Sequence, residues 1–144
     1  MSPDISFHFN AADKLTHACK VLRKARALGH RVLVRVPGAE LVRLDQSLWT
    51  MSALAFLPHA RPGDPLRVLA HSPIRLDDDP SAVWTTDLLL NLMPEMPPSF
   101  ERYKKVIEIV GLSEEDRAAA RQRWRRYRDQ GHEPQRHDLA AARA

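Results

Sequence analysis

Apolar and polar side chains alternate from Ile5 to Asn10, the pattern of a half-buried strand. The period then lengthens. Leu15, Ala18, Cys19, Leu22 and Ala25 recur at helical spacing on one stripe, with Asp13 placed to cap the helix start and Gly29 following its end near Leu28. Val32 to Val36 reads as a buried strand closed by Pro37-Gly38, and a second helix fits Ala39 to Trp49. This β-α-β-α opening points to a parallel sheet, because strands running the same way need a crossover that packs back onto the sheet.

After Trp49 the pattern loosens. Phe56 to His59 is a short apolar loop and Arg61 to Pro65 a turn. Leu66 to Ala70 is a predicted third strand. Ser72 to Pro80, with three consecutive Asp and two Pro, is a predicted exposed loop. A fourth strand falls within Val83 to Leu92, Pro94 to Ser99 is a connection, and a fifth strand spans Tyr103 to Val110 before Gly111. Ser113 then caps a helix whose first turn holds Glu114, Glu115 and Asp116, which suits the positive end of a helix dipole. That helix runs to about Gln130 and stops at Gly131. The expected architecture is a single three-layer α/β domain over residues 1–132, with 133–144 a polar, loosely held tail.

Composition narrows the picture. A chain of 144 residues, 44% hydrophobic and 28% charged, has the size and balance of one globular domain. The single cysteine, Cys19, cannot form an internal disulfide, so a reducing, cytoplasmic setting is the simple expectation. Cys19 sits in the apolar stripe of the first helix and is expected to be a small buried side chain rather than a nucleophile. The N-terminus MSPDISFHFN lacks the apolar run of a signal peptide, and no stretch approaches the roughly 20 apolar residues of a membrane span. The net charge of +4 is weak evidence for any partner until its placement is known.

The search for chemistry returns little. A phosphate cradle needs glycines after the first strand, but this chain has Asn10-Ala11-Ala12-Asp13 there and only five glycines in all. The seven histidines (His8, His17, His30, His59, His71, His132, His137) fall in no metal-ligand spacing and read as scattered surface or loop residues. Asp77-Asp78-Asp79 reads as a solvated turn rather than a cation site. No nucleophile elbow or compelling acid pair is present. Neither catalysis nor a cofactor, metal or small-molecule substrate is expected.

Two places do carry information. Between Arg117 and Arg128 there are six arginines and no acid. At about 100° per residue, Arg117, Arg121, Arg125 and Arg128 share one stripe, with Trp124 on its border. Like charges at this spacing disfavour an isolated helix, so stability alone does not ask for them. Guanidinium groups beside an aromatic ring suit an acidic ligand. The second place is Leu44 to Trp49 followed by Phe56 to His59, where large apolar side chains could form a patch for a partner protein.

These residues also match a family. L-D-x-x-L-W at 44–49, F-L-P-H at 56–59 and R-x-R-W-x-x-Y-R-x-x-G at 121–131 together resemble the chi subunit of bacterial DNA polymerase III, and the order of elements agrees over nearly the whole chain. The resemblance implies a Rossmann-like fold that binds no nucleotide and a non-catalytic accessory protein of the clamp loader. It implies two partners: the acidic, Phe-terminated tail of single-stranded DNA-binding protein, and the psi subunit, with only indirect contact to single-stranded DNA. Carried over by position, the tail site would comprise Arg117, Arg121, Trp124 and Arg125, with Val110 as a pocket wall. Arg and Trp stand here where the family commonly has Lys and Tyr. The psi contact would comprise Trp49, Phe56, Leu57 and Pro58, although Thr50 to Ala55 departs from the family pattern. The competing reading is a direct nucleic-acid binder using the same basic helix on phosphates.

Overall fold

The computed structural model describes residues 3–50, 58–65, 68, 72–79, 84–85 and 87–140. Its first elements are β1 (Asp4–Ala11), α1 (Lys14–Ala27), β2 (Val32–Arg35) and α2 (Gly38–Thr50). They continue as β3 (His59–Ala60), β4 (Ile74–Asp77), β5 (Leu88–Asn91), a 3-10 turn (Phe100–Arg102), β6 (Lys105–Gly111), α3 (Glu114–Asp129) and β7 (Gln135–Asp138). The described strands form one sheet in the order β3-β4-β2-β5-β6-β1-β7, and every neighbouring pair is parallel.

Each face of the sheet carries its own core. Val32, Val34, Leu88, Leu90, Ile107 and Ile109 point to the face covered by α1 and α2. Ile5, Phe7, Leu33, Leu89, Val106 and Val110 point to the opposite face, beneath α3 and the 3-10 turn. Because β2 and β5 are buried on both faces, their sequences read as nearly unbroken apolar runs. Asp13 caps α1 as expected, its carboxylate accepting from the Leu15 and Thr16 amides at 3.1 and 3.2 Å. Cys19 is buried among the α1 apolar stripe. Among the described residues no helix is long and apolar enough to cross a membrane.

One row of the α3-facing side is polar. Arg35, Asn91 and Glu108 are register neighbours on β2, β5 and β6, and all three are buried. The Arg35 guanidinium donates to Asn91 Oδ1 at 3.1 Å, and Asn91 Nδ2 donates to Glu108 Oε1 at 2.8 Å. From α3 above, Arg123 Nε reaches Glu108 Oε1 at 3.0 Å and the Tyr127 hydroxyl donates to Glu108 Oε2 at 2.7 Å. Burial pushes the Glu108 carboxyl up, and the Arg123 charge and three hydrogen-bond donors oppose that rise. The same burial, with the adjoining negative charge, pushes the Tyr127 phenol up, so it stays a donor.

The structure departs from the sequence reading at several places, the first being His59, which was expected in a loop but begins the short strand β3 beside β4. Of the expected strand at 66–70 only Val68 is described, and it is helical: its amide bonds to Pro65 O, and its carbonyl accepts from the Ser72 amide. The loop expected at 72–80 instead contains β4, an interior strand. Asp77 is there a buried strand residue rather than part of a solvated turn, its carboxylate held by the Asp79 amide at 2.9 Å and lying 3.7 Å from Arg75 Nε. Three consecutive acids suggest exposure, but local donors and the strand neighbours Ile74 and Leu76 draw the first of them inside. The tail expected at 133–144 includes β7, which pairs with β1 from Ser6↔Gln135 to Phe9↔Asp138. Its four exposed residues, Gln-Arg-His-Asp, carry no apolar alternation to announce a strand.

The histidines are also less scattered than expected. His59 is buried with Nε2 2.8 Å from Asp45 Oδ1. His8 and His17 share a 2.8 Å contact between Nδ1 and Nε2, and the His137 ring lies 5.0 Å from that of His8. No group of three potential ligands among the described residues is arranged to hold a metal ion.

Candidate functional site

The basic helix forms because its ends and its buried face agree. Ser113 Oγ accepts the Asp116 amide at 3.1 Å, and Glu114, Glu115 and Asp116 occupy the first turn. Ala120, Arg123 and Tyr127, spaced three and four apart, press onto the sheet. Trp124 lies half-buried at the border, its ring 5.2 Å from Phe7 and tilted 65° to it in an edge-to-face contact. Tyr127 stands edge-on to both Phe7 and Phe100, with centroids 5.8 and 4.9 Å away.

Next to this anchored face, Arg117, Arg121, Arg125 and Arg128 line a cleft of about 780 Å³. Phe7 and Phe9 of β1, Val110 of β6 and Ala120 supply its apolar surface, with Trp124 at the rim. None of the residues lining it is acidic. The expected tail-site residues Arg117, Arg121, Trp124, Arg125 and Val110 therefore come together around one space.

The six arginines do not act alike. Arg123 turns inward, is 3% exposed, and serves the Glu108 cluster. Arg117 Nη2 donates to Asn10 Oδ1 at 3.0 Å, a neutral partner that orients the group without cancelling its charge. Arg121 Nη2 sits 2.7 Å from Glu114 Oε1 in a pair exposed on both sides, which holds the Glu114 carboxyl below its usual range. An exposed pair of this kind is weak and exchangeable. Arg125 and Arg128 form no ion pair among the described residues.

Phe7, Phe9 and Arg136 were missed by sequence reasoning. The alternation in Ile5 to Asn10 places both phenylalanines on one strand face, but nothing in sequence says that α3 covers that face. Arg136 reaches the cleft from β7, with its guanidinium carbon 5.2 Å from the Phe9 ring centre and 6.0 Å from that of Trp124. Asn10, in the left-handed conformation with φ 63°, sits between the two walls: its side chain accepts from Arg117 and donates to Asp138 at 2.9 Å.

The second expected site lies elsewhere. Trp49, at the end of α2, is 61% exposed and its ring is 5.5 Å from that of His59. Pro58 lines a shallow cleft with Trp49, His59, Asp45 and Arg61, whereas Phe56 and Leu57 lie outside the described residues. Asp45 ties this corner together, accepting from His59 and lying 3.4 Å from Arg61 Nη1. Since α2 and α3 cover opposite faces of the sheet, the Trp49 patch and the arginine cleft face different directions.

Residues 2–135 match the model of a family described as DNA polymerase III chi subunit, HolC. A curated Pseudomonas aeruginosa protein, DNA polymerase III subunit chi, is 32% identical over 127 residues, covering 88% of this chain and 87% of its own. Its Haemophilus influenzae namesake is 26% identical over 116 residues, covering 79% of each chain. Among solved structures, the C-terminal domain of the S. cerevisiae DEAD-box protein Dbp5 superposes with a TM-score of 0.62 at 10% identity, over 95% of this chain and 90% of that one. That likeness shows the α/β fold alone. The family match over nearly the whole length, and the relative at 32% identity, establish that this chain belongs to the DNA polymerase III chi subunit family of the replication complex.

Proposed function

We propose that this chain is a non-catalytic adaptor of the clamp-loader complex. In this reading the arginine cleft binds the acidic, Phe-terminated tail of single-stranded DNA-binding protein, and the Trp49 patch binds the psi subunit. The observation that carries the first part is a cleft edged by four α3 arginines, lined by no acid and built on aromatic side chains. Guanidinium groups pair with carboxylates in fork geometry, and a terminal phenyl ring gains by leaving water against Phe9, Val110 and Trp124. The contact is small and mainly charge-assisted, so binding weakens as salt screens it over a Debye length of about 8–10 Å. The opposed faces of α2 and α3 support the adaptor reading, because two partners can then be held without colliding.

The test is fluorescence anisotropy with a labelled peptide ending in Asp-Asp-Ile-Pro-Phe. The parent binds, and Arg121→Glu abolishes binding while unfolding at the parent's urea concentration. Equal binding by parent and variant refutes the site. An unlabelled thymidine oligonucleotide serves as competitor: displacement of the peptide at equal concentration would favour the direct nucleic-acid reading.

A further inference from the structure

We infer that Arg136 is a ligand-contacting residue of this cleft, pairing from the strand side with a carboxylate of the acidic peptide. The inference rests on the reading of the cleft given above. It adds a residue immediately beyond the span matched by the family model, which ends at 135.

The position follows from register. Arg136 lies opposite Phe7 in the β1·β7 ladder, so its side chain takes the α3-facing side, as Phe7 and Phe9 do. Its neighbours Gln135 and His137 take the other side, where His137 meets His8. The Arg136 guanidinium thus stands beside Phe9 and Trp124, two of the aromatic groups of the cleft, and the residue lines the cleft together with the α3 arginines.

Its local setting leaves it available. Arg136 is exposed and forms no ion pair among the described residues. A guanidinium resting on a ring face keeps its in-plane N–H donors for a carboxylate, and the ring restricts its motion. The strand that carries it is tied to the helix wall through Asn10, which bonds Arg117 on α3 and Asp138 on β7. A carboxylate entering between the walls therefore meets positive charge from both.

The full chain is titrated with the same labelled peptide at low salt. Arg136→Ala weakens binding by about 3- to 10-fold, the range for one partly exposed charge-assisted contact. Arg136→Glu weakens it further, Arg136→Lys falls between parent and Ala, and all three unfold at the parent's urea midpoint. Ala and Glu variants that bind within about twofold of the parent, while Arg121→Glu has lost binding, overturn this inference and leave the proposed site standing. Equal weakening by Ala and Glu, or a Lys variant no better than Ala, also overturns it, because a pairing charge requires reversal to be worse than removal. Failure of the parent to bind overturns the proposed function and this inference together.

Discussion

Arg121 and Arg123 stand two residues apart on one helix, and their removal should have opposite consequences. Arg123 is 3% exposed and Glu108 is 0% exposed, with 3.0 Å between Nε and Oε1; Arg123 Nη1 also donates to the Pro94 carbonyl at 2.8 Å. Breaking a buried pair by deleting one partner costs about 3–5 kcal/mol, because the other charge stays buried without compensation. Glu108 keeps Tyr127 and Asn91 as donors and can take up a proton, so the lower figure, about 3 kcal/mol, applies to Arg123→Ala. With about 2.1 cal/mol/K of unfolding entropy per residue over 144 residues, that loss lowers the melting temperature by about 10 °C. Equilibrium urea unfolding followed by circular dichroism reads the same change as a fall in midpoint. Arg121→Ala should leave the midpoint unmoved, since its Glu114 partner is exposed. An Arg123→Ala midpoint equal to the parent's would refute the claim that this buried pair holds α3 in place.

Three further outcomes follow from the geometry. Burial first, then the charges of His17, His137, Lys105 and Lys24, lower the His8 pKa from 6.5 to about 4. The unfolded chain therefore binds this proton first as pH falls, and the stability from neutral His8, present above pH 6.5, drains away toward pH 4. Urea midpoints should fall between pH 7 and 5 in the parent and fall less in His8→Asn; identical slopes would remove His8 as the cause. Glu114→Gln frees Arg121 from its intramolecular carboxylate and should tighten peptide binding a few-fold in anisotropy, and unchanged or weaker binding would contradict this competition. Trp49→Ala should abolish co-purification with psi without moving the melting temperature, because the residue is 61% exposed; retained co-purification would exclude that patch.

Much of the candidate site was legible in the chain. The six arginines without an acid, the Ser113 cap and the placement of Trp124 describe a charged, terminated helix wherever it packs. What could not be read was which arginine turns inward. Arg123 differs from its neighbours only because Glu108, fifteen residues earlier on β6, waits beneath that face of the helix. Strand β4 was hidden for a similar reason: Ile74 to Asp77 is short, is flanked by turn-forming residues, and becomes a strand because β2 and β3 supply partners on either side.

The α/β class, the first two β-α units and the basic helix follow from local periodicity and capping, which act over a few residues and leave their mark in order along the chain. The inward turn of Arg123, the aromatic surface of Phe7 and Phe9 under the cleft, and the arrival of Arg136 on β7 depend on residues brought together from distant parts of the chain. Pairing of parallel strands is settled by crossover packing and burial of both sheet faces, interactions between segments that no local pattern encodes.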